Sequence, residues 1–135
     1  MALSLRFPGQ IVPIVSESIL TDGMVVRVGS ADNTVRLPGG ASPTTPLLGV
    51  MMRPDGSACA AGERIDLILS GIYPLIAGGT INAGDYVTSG GTNGSVIAES
   101  AGAGVNVAVI GQAIEDAVSG DRVACTIAPS MKQGG

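Results

Sequence analysis

Strand-like periodicity runs along nearly the whole chain. The stretches "GMVVRV", "NTVRL", "LLGVMM", "ERIDLIL", "GIYPLI", "DYVTS", "GSVIA", "VNVAVIGQAI" and "DRVACTI" are each bounded by Gly, Pro, Asn, Asp or Ser. Short β-branched runs between such residues predict β-strands joined by tight turns. In "ERIDLIL" and "DRVACTI" the alternation is regular enough to bury one face. Only "GQAIEDAVSG" has room for a helical turn.

The pattern occurs twice. Gly23 lies 61 positions before Gly84, as do Val26 before Val87, Thr34 before Ser95 and Val35 before Val96, so "DGMVVRVGSADNTV" overlays "AGDYVTSGGTNGSV". "LLGVMM" overlays "VIGQAI" at an offset of 62, and "AGERIDLIL" overlays "SGDRVACTI" at 58. A Gly-x-x-Val/Ile corner recurs at Gly23, Gly62, Gly84 and Gly120. Glycine suits a turn needing positive φ before the chain enters a strand. Two fused units of this size bury enough surface only by sharing a core. The expected fold is therefore all-β: a compact barrel or sandwich over residues 19–129, with repeat halves at about 19–70 and 80–128. Residues 1–18 fall outside the repeat as an extended N-terminal arm, and residues 130–135 as a flexible tail.

Composition narrows the chemistry. At 135 residues the chain is long enough for one domain, and aromatics are so few (Phe7, Tyr73, Tyr86) that the core must be aliphatic. Net charge is −4, with six arginines and one lysine scattered along the chain, which gives no basic patch for nucleic acid or an anionic membrane. The start, "MALSLRFPGQIVPIV", is broken by Pro8 and Pro13 and lacks the continuous apolar centre of a signal peptide or membrane helix. A soluble, unsecreted protein is the expectation. Cys59 and Cys125 stand alone, as small buried hydrophobes do, and spacing does not decide whether they pair.

The chain has no histidine, which removes the commonest general base and imidazole metal ligands. "PGGASPTTP" and "AGAGVN" lack the Gly-Lys-Ser/Thr of a phosphate loop. Asp22, Asp85 and Asp121 sit at corners, and Glu115 with Asp116 form the one acidic pair, without the regular oxygen spacing of a calcium loop. Solvated turn residues are the expected role of these acids. No catalytic residue, cofactor site or metal site is expected, and Cys125, alternating with Val123 and Ile127, is expected to be an inert core thiol.

The succession "LLGVMM…AAGERIDLILSGIYPL", "INAGDYVTS", "GSVIAES" and "VIGQAIEDAVSGDRVACTI" resembles the small head decoration, or cement, proteins of tailed phages, a group often mislabelled as recombinase-like, and more distantly the lambda-type capsid stabilisers. The likeness spans about residues 19–128. It implies a non-enzymatic virion protein, made in the bacterial host cytoplasm. Such a protein binds the outer capsid surface as a homotrimer and bridges major capsid protein subunits. Residues for capsid or protomer contact are then expected in the arm, at Leu3, Leu5, Arg6, Phe7, Ile11, Val12 and Ile14, ordering on the capsid or on a neighbouring protomer. The other reading of this segment makes it the first strand of the domain's own sheet. A second functional class is a β-structured binding module of another virion part, such as a tail or fibre accessory domain, although three aromatic rings make a poor recognition platform.

Overall fold

Arg64–Ile68 shows why the chain folds as strands: Arg64 and Asp66 point to solvent while Ile65 and Leu67 are buried on the opposite face. The computed structural model describes residues 6–100 and 104–133, and thirteen such strands, with no helix among the described residues, make up the fold. In chain order they are β1 (Phe7–Pro8), β2 (Ile11–Ser16), β3 (Val25–Val28), β4 (Thr34–Arg36), β5 (Gly49–Met52), β6 (Arg64–Ile68), β7 (Gly71–Ile76), β8 (Tyr86–Ser89), β9 (Val96–Ala98), β10 (Asn106–Val109), β11 (Gly111–Gln112), β12 (Arg122–Ile127) and β13 (Ser130–Gln133).

The first repeat closes on itself as a barrel in the order β2-β4-β3-β5-β6. Closure comes from β2, antiparallel to β6 from Ile11 to Val15 and parallel to β4 at Val15 and Ser16. The second repeat follows the same order, β7-β9-β8-β11-β12, with two of its joins reduced to the single bridges Ala77 to Val96 and Ala113 to Cys125. Corner hydrogen bonds repeat as well. Gly23 N–H donates to Met51 and Gly84 N–H to Ala113, while Gly62 N–H donates to Ser16 and Gly120 N–H to Ala77.

Both ends of the chain differ from the sequence expectation. From Ile11 onward the N-terminal segment is a barrel strand: "IVPIVS" is to the first repeat what "IYPLIA" is to the second, with Pro13 over Pro74. Each proline pairs on one side only, Pro13 with Asp66 and Pro74 with Ala124, where a missing N–H breaks no ladder. Ser130–Gln133, placed in a flexible tail by the sequence, is β13 and pairs antiparallel with β10 from Asn106 to Val109. "GQAIEDAVSG" yields the short β11 and turns.

The core divides by strand face. Leu20, Val26, Val35, Met51, Cys59, Ile65 and Leu67 fill the first barrel. Their repeat equivalents Ile81, Val87, Val96, Ala113, Ala117, Val123 and Cys125 fill the second. Val25, Val50 and Ile68 extend from the first barrel into this second cluster, so the two repeats share one core.

Candidate functional surface

The segment before β2 lies against the second repeat. β1 pairs antiparallel with β7, Phe7 opposite Ile72 and Pro8 opposite Gly71, and Gly9 N–H donates to Ser70. Phe7 is 62% exposed and Ile11 40% exposed, and β1 has no strand on its outer side among the described residues. Val12 and Ile14 pack instead on the first barrel's core. Leu3 and Leu5 lie outside the described residues. Because Pro8 has no N–H, what the outer side of β1 offers a partner is chiefly the exposed apolar Phe7 side chain and not a pairing edge.

Arg6 is tied inward. Its guanidinium stacks 5.2 Å above the Tyr73 ring, donates to the Tyr73 hydroxyl at 3.1 Å and lies 4.0 Å from Asp22. Asp22 is the centre of this cluster. Its Oδ1 accepts from the Tyr73 hydroxyl at 2.6 Å and from the Arg53 backbone N–H at 2.8 Å, and Arg122 lies 3.8 Å from its Oδ2. The Asp22 carbonyl accepts from Arg122 Nη1 at 2.6 Å. Burial, then the neighbouring Asp22 carboxylate, pushes the Tyr73 hydroxyl above its ordinary range, so it stays a donor. The sequence placed Asp22 among solvated corner acids; it is buried, because Arg6, Tyr73 and Arg122 converge on it from distant positions. The cluster joins the N-terminal segment and both repeats.

Several other acids lock loops. Glu115 accepts from Ala124 N–H at 2.9 Å, Asp116 from Ala83 N–H at 2.7 Å, Asp85 from Asn82 N–H at 2.9 Å and Asp121 from Val118 N–H at 3.3 Å. Glu17 holds the β3–β4 hairpin by accepting from the Thr34 hydroxyl at 2.6 Å and from the backbone of Ser30 and Ala31, which together hold its carboxyl down to about 2. Glu63 pairs with Arg53 and accepts from Ala60 N–H at 2.9 Å. Burial first, then Glu115, pushes the Cys125 thiol up to about 12. Cys59 and Cys125 are both free thiols, each in a different core cluster.

The corner glycines Gly23, Gly62, Gly84 and Gly120 have φ between 86° and 95°. Gly23 is also closely packed: a Cβ there would lie 2.8 Å from the Pro74 carbonyl oxygen and against the Arg122 guanidinium.

A phage cement protein family matches residues 8–128 of the chain. Among solved structures, the N base of the head fibre gp8.5 of bacteriophage phi29 is similar in fold, with a TM-score of 0.63 at 18% sequence identity over 88% of this chain and 93% of that one. No curated protein sequence matches the chain.

Proposed function

The chain belongs to the phage cement protein family, and we propose that it binds the outer surface of the expanded capsid as a homotrimer and stabilises the shell by bridging major capsid protein subunits. A protein that binds only the assembled shell stabilises it by mass action, and several weak contacts joined in one trimer act as one strong contact. Binding of this kind needs no chemical step, and the chain works as a structural protein of the phage head. The feature that supports a docking role is the outer side of β1, where Phe7 and the neighbouring Ile11 offer exposed apolar side chains. Because β2 is a barrel strand, the arm available for contact ends before Ile11.

The test mixes purified protein with expanded heads lacking it and images the particles. Density on the outer surface at local threefold positions is the expected result. Removing residues 1–8, which leaves every barrel strand in place, is expected to keep the protein folded and weaken binding. Binding confined to tails or fibres would instead favour the accessory-module reading.

A further inference from the structure

We propose that Arg27 and Arg36 form a carboxylate-binding site, filled on assembly by an acidic side chain of the major capsid protein. This rests on the capsid-binding reading above and names one chemical contact within it.

The two arginines are direct cross-strand partners on β3 and β4. Their neighbours Val26 and Val35 point into the first barrel, so strand alternation turns both arginines onto its outer face. Like charges directly opposite each other on paired strands destabilise the pairing, and a bound anion would relieve that repulsion.

Nothing within the described residues supplies that anion. Arg6 and Arg122 face Asp22, Arg53 faces Glu63 and Lys132 faces Glu99. Arg27 and Arg36 have no ion-pair partner among the described residues, and the Nε of each is buried without a hydrogen-bond acceptor. Arg64 is also unpaired, but it is exposed and stands apart on β6 opposite Val15. A buried donor without a partner costs free energy, and a carboxylate at the terminal nitrogens of the same guanidinium would offset part of that cost by neutralising its charge.

The approach is open because of Gly39. A Cβ at that position would lie 3.3 Å from Nη2 of Arg27 and 3.7 Å from its Cζ, so any side chain there would cover the guanidinium. Arg27 is half-buried, and the bare backbone at Gly39 sets no side chain over its terminal nitrogens. Two adjacent guanidinium groups can share one carboxylate through their planar forks. A polyanion such as nucleic acid fits less well, since the chain carries eleven acidic side chains against seven basic ones.

Four proteins are titrated onto expanded heads: wild type, the double variant R27Q/R36Q, G39D and G39N. Gly39 has no positive φ, so substitution there does not force the backbone. G39D supplies an internal carboxylate to Arg27 and is expected to melt above wild type while binding heads about tenfold more weakly or worse; R27Q/R36Q loses binding by a similar factor, and G39N, which covers the guanidinium without neutralising it, weakens binding without the rise in melting temperature. Wild-type affinity in R27Q/R36Q or in G39D overturns the site. A second measurement uses the isolated protein, replacing chloride by acetate at constant ionic strength and following the Arg27 and Arg36 Nε–Hε resonances. A saturable shift in wild type that is absent in G39D supports the site, and no shift overturns it. Wild type that fails to bind heads while still responding to acetate removes the capsid reading and, with it, the identity of the partner, but leaves the carboxylate site standing.

Discussion

The Tyr73 hydroxyl donates to Oδ1 of Asp22 at 2.6 Å and so connects a strand of the second barrel to a loop of the first, across 51 positions of chain. Asp22 is nearly inaccessible to solvent; its Oδ1 also accepts from the Arg53 backbone N–H, and two guanidinium groups lie 3.8 and 4.0 Å from its Oδ2 as ion-pair partners. Truncation to Asp22→Ala leaves the Tyr73 hydroxyl and the Arg53 N–H without an acceptor, and is expected to cost about 2–4 kcal/mol. Tyr73→Phe keeps the ring packing and is expected to cost about 1–2 kcal/mol. Urea unfolding measures both. A loss for Asp22→Ala within about 0.5 kcal/mol, as for an ordinary surface change, would contradict the central role given to this residue.

The corner glycines separate two costs that are usually mixed. Gly120 has φ +93 and open space around a Cβ, so Gly120→Ala pays for backbone conformation alone, about 1–2 kcal/mol. Gly23 has φ +86 and, in addition, the fixed Pro74 carbonyl in the way. Gly23→Ala is expected to lower the melting temperature clearly more than Gly120→Ala. Equal losses would mean that the Pro74 strand yields freely.

Acid is expected to loosen the β3–β4 hairpin. The folded Glu17 carboxyl sits at about 2 against an ordinary 4.5, chiefly through the Thr34 hydroxyl and then the Ser30 and Ala31 N–H groups. A depressed carboxyl contributes stability that is fully present above the unfolded value and is lost as pH falls from about 4.5 toward 2. Glu17→Gln should therefore be less stable than wild type at neutral pH and converge with it near pH 2. Parallel curves for the two proteins across that window would rule out this linkage.

Both thiols should be silent in the folded protein. Cys125 is fully buried and held up to about 12, so almost none of it is thiolate at pH 8, and Cys59 is shielded by the first barrel's core. An aromatic disulfide reagent is expected to label neither until denaturant is added, and then to label both. Rapid labelling of either thiol in native buffer would show that its barrel opens locally.

The strands, the duplication and the glycine corners were legible in the sequence because each is written locally, in short-range alternation and in a repeat spacing of 58 to 62 residues. The first strand of the duplication was harder to see. "IVPIVS" shares with "IYPLIA" only an apolar pattern around Pro13 and Pro74, and proline usually argues against a strand. β13 escaped notice because "SMKQ" has neither alternation nor β-branched residues, and its place depends on the pairing offered by β10. Asp22 was misplaced for a different reason. Its corner resembles three solvated ones, and its burial follows from Arg122, 100 positions away. The Arg27–Arg36 pair required the register of β3 against β4, which hydrophobic periodicity does not fix to one residue.

β6 ends at Ile68 and β7 begins at Gly71, so only Leu69 and Ser70 separate the last strand of one barrel from the first of the next. Even this joint is pinned, since the Ser70 carbonyl accepts from Gly9 and its hydroxyl from Gln10. A connection so short has no slack to act as a hinge. Val25, Val50 and Ile68 of the first barrel pack into the second repeat's core, so bending one barrel against the other would have to break that packing.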